Sequence, residues 1–269
     1  MGYLLIMRPL NCIITMVSVF VGAWIGRGIF LPLHLMIAGF TGFMACAFGN
    51  IINDFYDIEI DKINNPERPL PKGTVSKSMA QLMAVFFFMI SCLLAISLGF
   101  LPLLLVLVAL GLLFFYSSYL KRTILANIIV AIITGLSFIL GGMVVKNSWC
   151  IFPFFFSLLI HMPREIIKDV IDIEGDKSQS VVSLPIRFGR EKSFTISAFL
   201  LGLLCIVLPI PYIMNILNIR YILVVLVGAY PIILYCLFSL LKIPSHDTLK
   251  KLSNLLKASM AVGLIAMII

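Results

Sequence analysis

Apolar runs of roughly 17–25 residues follow one another from end to end of this chain, each long enough to cross a bilayer core of about 30 Å. They lie at about 10–29, 33–54, 78–98, 101–119, 124–145, 149–170, 193–214, 219–241 and 252–269. Inside lipid every backbone polar group must find its partner within the chain, so repeated runs of this length specify helices. Composition agrees: 61% of the 269 residues are hydrophobic and 12% charged, too apolar for a water-soluble domain of that size. The sequence therefore predicts an all-α membrane protein, a single polytopic domain over residues 1–269 with nine transmembrane helices. The first run follows Arg8-Pro9 as a signal peptide would. It is long and eight further runs follow, so it reads as the first membrane helix.

Charge placement sets the expected orientation. With the N-terminus in the cytoplasm, all but three of the 20 basic residues fall on cytoplasmic connections, the exceptions being Arg27, Lys146 and Arg220. Retention of lysine and arginine on the inner side predicts a multi-pass cell-membrane protein with its N-terminus inside and its C-terminus outside. The net charge of +8 is accounted for by lysines meeting anionic headgroups, so membrane lipid is the expected surrounding partner. With no soluble basic domain, nucleic acid is excluded as one. Cys12, Cys46, Cys92, Cys150, Cys205 and Cys236 stand singly in or beside apolar runs and read as packing residues.

Acidic residues are few and concentrated. All but Glu191 and Asp247 of the twelve carboxylates lie in or beside two clusters. One reads Asn53-Asp54-Phe-Tyr-Asp57-Ile-Glu59-Ile-Asp61-Lys62, the other Lys168-Asp169-Val-Ile-Asp172-Ile-Glu174-Gly-Asp176-Lys177. Asp54, Asp57, Glu59, Asp61 and Lys62 map onto Asp169, Asp172, Glu174, Asp176 and Lys177 at a constant offset of 115 residues. That offset spans four helices, so both clusters end helices of the same sense. This predicts a parallel repeat, about 10–119 and 124–241, followed by a ninth helix at 252–269. The loops after the second and sixth helices, roughly 57–77 and 172–192, are long and cytoplasmic, where function concentrates. Pro66, Pro69 and Pro71 keep the first of them from forming a continuous helix.

If each helix continues through its cluster, successive residues turn by about 100°. Asn53, Asp57 and Asp61, with Asp54 and Asn50 beside them, then form one oxygen-rich stripe, and Glu165, Asp169, Asp172 and Asp176 form another. Solvated helix ends would carry charges too. Two clusters of identical spacing, in a chain almost empty of other acids, weigh against that reading, because such carboxylates repel one another without cations. Hard oxygen ligands with little histidine favour Mg²⁺, which keeps waters and binds phosphate oxygens through one or two carboxylates. Arg68, Lys72, Lys121, Arg122, Arg164 and Lys168 lie close in sequence to cytoplasmic helix ends and are candidate phosphate ligands. The chemistry that fits is metal-assisted binding and departure of a diphosphate at the edge of an apolar interior.

These motifs resemble those of the UbiA superfamily of intramembrane prenyltransferases. The resemblance rests on Asn53-Asp54-x-x-Asp57-x-x-x-Asp61 with Arg68-Pro69, and on Arg164-Glu165-Ile-x-Lys168-Asp169-x-x-Asp172-x-Glu174-Gly-Asp176. Arg8-Pro9-x-Asn11 and Tyr116 with Lys121-Arg122 add to it. It implies a helical bundle around a central cavity, with a cytoplasmic cap formed by the loops after helices 2 and 6. It also implies two Mg²⁺ ions bridging the donor diphosphate, held by Asn53, Asp57, Asp61, Asp172 and Asp176, with Asp54 and Asp169 as further ligands. Asp57, Asp61, Asp172, Asp176 and Lys121 would be catalytic. Arg8, Asn11, Arg68, Lys72, Tyr116, Lys121, Arg122, Arg164 and Lys168 would bind substrate. Tyr116 and Lys121 stand one residue further apart than the superfamily's Tyr-x-x-x-Lys, which leaves Tyr119 and Ser117 as alternatives.

Within the superfamily the motifs are most similar to archaeal members of ether-lipid biosynthesis. The reaction this implies is transfer from geranylgeranyl diphosphate to the sn-2 hydroxyl of geranylgeranylglyceryl phosphate, with release of diphosphate. An aromatic acceptor of a quinone or haem pathway is the alternative. A secondary transporter is a further one, disfavoured because transporters keep their ionisable residues near the bilayer midplane.

Overall fold

The computed structural model describes residues 2–178 and 181–269; residues 179–180, within the expected loop after the sixth helix, lie outside the description. The described residues form helices and loops without a strand. In chain order these are α1 (Gly2–Met7), α2 (Pro9–Trp24), α3 (Leu33–Tyr56), α4 (Ile58–Asn64), α5 (Lys77–Leu98), α6 (Phe100–Ser118) and α7 (Ala126–Val144). There follow α8 (Ile151–Ile171), α9 (Ile173–Ser178), α10 (Leu184–Phe188), α11 (Arg190–Val207), α12 (Ile210–Ile213), α13 (Ile219–Val224), α14 (Tyr230–Leu240) and α15 (His246–Ala266). A π-helical turn, Val225–Ala229, joins α13 to α14.

Among the described residues, eight helical segments are long and apolar enough to cross a membrane: Gly2–Trp24, Leu33–Tyr56, Lys77–Leu98, Phe100–Ser118, Ala126–Val144, Ser148–Ile171, Arg190–Ile213 and Ile219–Leu240. Nine were expected. The ninth run falls in α15, whose earlier turns carry Asp247, Lys250, Lys251 and Lys257, too polar to count by length and composition alone. The first span also begins earlier than its apolar run suggested. It carries a break at Arg8, where φ is 52° and the following Pro9 cannot donate a helical hydrogen bond.

The chain divides into two compact units. The first comprises residues 1–23, 30–119 and 136–150. Its centre is α3 packed on α5 and α6. α2 meets the later part of α7 backbone to backbone: a side chain at Gly22 would strike the Phe138 carbonyl, and one at Gly141 the Val19 carbonyl. Small residues permit such close approach of membrane helices. The loop 65–76 is folded by its own hydrogen bonds, Val75 N–H to the Pro69 carbonyl (3.2 Å) and Thr74 Oγ1 to the same oxygen (3.1 Å). Leu70 and Val75 are buried beneath it.

The second unit comprises residues 24–29, 120–135 and 151–269. Here α8 packs against α11 and α15, and α14 against α11 and α15. Tyr221 is buried and donates to the Leu208 carbonyl at 2.7 Å, and Tyr230 donates to that of Cys205. A cavity of about 430 Å³ in this unit is lined by Arg27, Tyr212, Asn215 and Asn218 among others and by no acidic side chain.

Candidate active site

Each acidic cluster sits on a helix that breaks, and the two breaks fall at corresponding residues. α3 ends at Tyr56 and α4 begins at Ile58, with Asp57 (φ −95°, ψ 4°) between them. α8 ends at Ile171 and α9 begins at Ile173, with Asp172 between them. The backbone ladder still bridges both breaks: Asp57 N–H reaches Asn53 O and Asp61 N–H reaches Asp57 O, at 3.0 and 2.7 Å. Asp172 N–H to Lys168 O and Asp176 N–H to Asp172 O do the same, each at 2.9 Å. The expected continuous stripe is thus two short stripes joined at a bend, with the middle aspartate at each corner.

In the first cluster the carboxylates are met by arginines. Asp54, nearly buried, pairs with Arg8, and its Oδ1 lies 3.6 Å from Arg68 Nη1. Asp61, also buried, accepts from Arg68 Nη1 at Oδ2 (2.6 Å) and from Asn65 Nδ2 at Oδ1 (3.0 Å). Asp57 accepts from Asn53 Nδ2 at 3.0 Å. Arg8 reaches this cluster because Asn50, one turn before Asp54, donates to the Met7 carbonyl at 2.8 Å and so holds the break between α1 and α2 against α3.

The second cluster is built from neutral partners. Asp169 Oδ2 accepts from Asn127 Nδ2 at 2.9 Å. Asp172 is exposed and Asp176 half-buried. Partial burial pushes both carboxyls above the usual aspartate range, Asp176 further through the charge of Asp172. The nearby charges of Lys168, His246 and Lys250 pull Asp172 back down, while Glu165 raises it. Ser183, buried, makes no hydrogen bond of normal geometry yet lies close enough to Asp176 to favour its charged form.

The other expected site residues divide between committed and peripheral positions. Arg164 and Lys168 both bind Glu165, each at 2.8 Å. Lys72 pairs with Glu67 at 2.6 Å, both side chains being exposed. Asn11 is exposed in the first turn of α2. Tyr116 is half-buried in α6, and Tyr119 is exposed just past its end. Lys121 and Arg122 occupy a single 3₁₀ turn, Leu120–Arg122, where the Arg122 carbonyl accepts from Val182 N–H at 2.9 Å.

Sequence reading missed Asn127, Asn65, His246 and Lys250. Asn127, an amide at the head of an apolar run, was the one with a readable signal. No group of three or more His, Cys, Asp or Glu side chains among the described residues gathers into a metal cage. The donor set still suits Mg²⁺, which is held through one or two carboxylates and completes its shell with water and phosphate oxygens.

Comparison with known proteins matches this architecture. Residues 15–257 match the model of the UbiA prenyltransferase family. Similar proteins include the digeranylgeranylglyceryl phosphate synthases of Methanosphaera stadtmanae, 33% identical over 98% of this chain and 97% of the relative, and of Methanocaldococcus jannaschii, 35% identical over 99% and 95%. A third, from Methanococcus maripaludis strain C7, is 37% identical over 100% and 97%. A solved structure concerning digeranylgeranylglyceryl phosphate synthase in membranes superposes with a TM-score of 0.85 at 34% identity, covering 99% of this chain and 96% of that one. A UbiA homologue from Archaeoglobus fulgidus, solved with DMAPP and Mg²⁺, shares the fold at a TM-score of 0.70 and 21% identity, with 99% of each chain covered. The chain belongs to the UbiA prenyltransferase family.

Proposed function

We propose that this protein transfers a geranylgeranyl group from geranylgeranyl diphosphate to the sn-2 hydroxyl of geranylgeranylglyceryl phosphate, releasing diphosphate. The observation that carries the proposal is near full-length similarity, at 33–37% identity, to relatives named for that product, in a chain that keeps both acidic clusters.

In this reading the site would hold two Mg²⁺ ions with the donor diphosphate, and when bound they would supply positive charge against that of the leaving group. Asp57, Asp172 and Asp176 are the first choices for ligands, with Asn53 supporting. Asp61 has both carboxylate oxygens engaged and would release Arg68 or Asn65 to reach a metal. Asp54 anchors Arg8 and Arg68, and Asp169 anchors Asn127, so neither needs to touch an ion. Arg8, Arg68, Lys121, Arg122, Arg164 and Lys168 supply cations for phosphate oxygens. The apolar helices shield the allylic cation from water, and capture by a hydroxyl requires little base strength. His246–Ala266 is the ninth membrane span, and the acidic clusters and their loops lie on the cytoplasmic side, with Lys and Arg retained there.

The test is a product assay in detergent. Purified protein with Mg²⁺ and geranylgeranyl diphosphate is offered geranylgeranylglyceryl phosphate, hydroxybenzoate or a naphthoate, and the products are identified by mass spectrometry. The expected product is the doubly prenylated glycerol phosphate. Alkylation of an aromatic acceptor while the glycerol phosphate is left untouched would overturn the proposal.

A further inference from the structure

A glycerol phosphate acceptor presents a phosphate monoester, carrying about −1.5 to −2 charge at neutral pH, and the protein must meet that charge apart from the donor diphosphate. The cations nearest the clusters in sequence are mostly committed: Arg8 to Asp54 and Lys168 and Arg164 to Glu165. α15 brings a further lysine and a histidine. Its start is fixed by Ser245, whose hydroxyl accepts from Thr248 N–H at 3.4 Å. Leu249, Leu252, Ser253 and Leu256 are buried along one side of it, and α15 packs on α8. The charges of His246 and Lys250, one helical turn apart on a shared face, both act on Asp172 at the end of α8. Two membrane-length spans, Arg190–Ile213 and Ile219–Leu240, separate α8 from α15, so α15 starts on the side where α8 ends. Because the two helices pack together, its first turns lie beside the end of α8 and the helices run in opposite directions. Both side chains are exposed. His246 Nδ1 lies 4.0 Å from the fully exposed Asp247, and Lys250 makes no ion pair among the described residues.

We infer that His246 and Lys250, on the first two turns of α15, form the binding site for the acceptor's phosphate monoester next to Asp172. The assignment rests on the proposed glycerol phosphate acceptor and adds the residues that select for it. An ammonium and an imidazole N–H one turn apart can both donate to the oxygens of a doubly charged phosphate. Their position beside a proposed metal ligand places the acceptor headgroup next to the leaving diphosphate, while its alkyl chain extends toward the apolar helices.

The experiment compares wild type, Lys250→Ala, Lys250→Arg and the double variant His246→Ala/Lys250→Ala in nonionic detergent with Mg²⁺ and geranylgeranyl diphosphate. The acceptors are geranylgeranylglyceryl phosphate and its dephosphorylated counterpart, and equilibrium binding of radiolabelled phosphorylated acceptor is measured without donor. The Lys250→Ala variant should raise KM and Kd for the phosphorylated acceptor about tenfold, the scale of a lost charge-assisted hydrogen bond, with KM for the donor within about twofold. The double variant should lose the preference for the phosphorylated acceptor, and Lys250→Arg should keep it. An unchanged preference would overturn the inference. So would a matching rise in donor KM, or a loss that appears only when anionic lipid is added to the micelles, since the pair would then be reading the diphosphate or the membrane surface. If wild type fails to use the phosphorylated acceptor at all, the proposed function fails first, and that is visible before any variant is made.

Discussion

Asp54 and Asp61 are met by guanidinium groups, whereas their counterparts Asp169 and Asp176 face an amide and a hydroxyl. The pairing even keeps its register, because Ser183 stands at the position that corresponds to Arg68. The same spacing of acids has thus been set in two electrostatic environments. The first cluster carries its own counter-charges and is close to neutral without a ligand. The second has no guanidinium pair on its aspartates among the described residues, and the charge of Lys168, with those of His246 and Lys250 on α15, reaches Asp172 instead. A repeated motif preserves the positions of the acids while the charge around them diverges, and the two clusters need not tolerate the same substitutions.

The largest effect expected is common to both clusters. Asp57→Asn and Asp172→Asn should each lower kcat by about a hundredfold or more, the scale seen when one preorganised electrostatic contact to a reacting group is removed. Both should keep a wild-type elution profile in detergent. Near-wild-type turnover in either would remove its corner aspartate from the site.

The next effect should separate the clusters. Removing the side chain in Arg68→Ala leaves Asp61 and Asp54 short of a counter-charge in a buried setting. Breaking a fully buried pair costs about 3–5 kcal/mol, and the partial exposure of Arg68 reduces that to about 2 kcal/mol. Ser183→Ala, at the matching position, removes a hydroxyl without a normal hydrogen bond and should change stability by less than about 0.5 kcal/mol. Equal thermal shifts for the two variants in detergent would contradict the asymmetry described above.

A smaller effect is expected with pH. Burial raises the Asp172 and Asp176 carboxyls above 3.8. Their contribution to the stability of the metal-free protein is complete below that value and is lost as pH rises through the raised values. Mg²⁺ binds the charged form, so its stabilising effect should grow as pH rises through the same window. A thermal shift by Mg²⁺ that is independent of pH would argue against these two as ligands. The smallest effect belongs to Lys77→Ala: Lys77 lies 3.9 Å from exposed Glu59, and its loss should leave turnover within about twofold of wild type, as expected for a surface pair.

How much of this was legible in the sequence follows from the range of each interaction. Hydropathy located seven of the nine expected spans to within three residues, because a bilayer imposes a fixed length of apolar helix. The first begins eight residues earlier than its apolar run, and the ninth is too charged to count by composition. The positions of Asp57 and Asp172 were legible for the same reason, lying where the apolar runs end. The breaks at those residues were not: Asp57 precedes Ile58 and Asp172 sits between Ile171 and Ile173, with no proline or glycine to mark a bend. Partners were harder still. Arg8 and Asp54 are 46 residues apart and Asn127 and Asp169 are 42 apart, so only the packing of helices brings them together. The pairing of Lys72 with exposed Glu67 was within reach of the sequence, since the two stand five residues apart in one loop.

The proposed function requires both clusters to serve one magnesium-dependent binding event for a prenyl diphosphate. Equilibrium binding of a non-reactive geranylgeranyl diphosphate analogue, with and without Mg²⁺, tests it most directly in wild type, Asp57→Asn, Asp172→Asn and the double variant. The account predicts magnesium-dependent binding in wild type and its loss in each single variant, with nothing further lost in the double. Full magnesium-dependent binding in either single variant would contradict it.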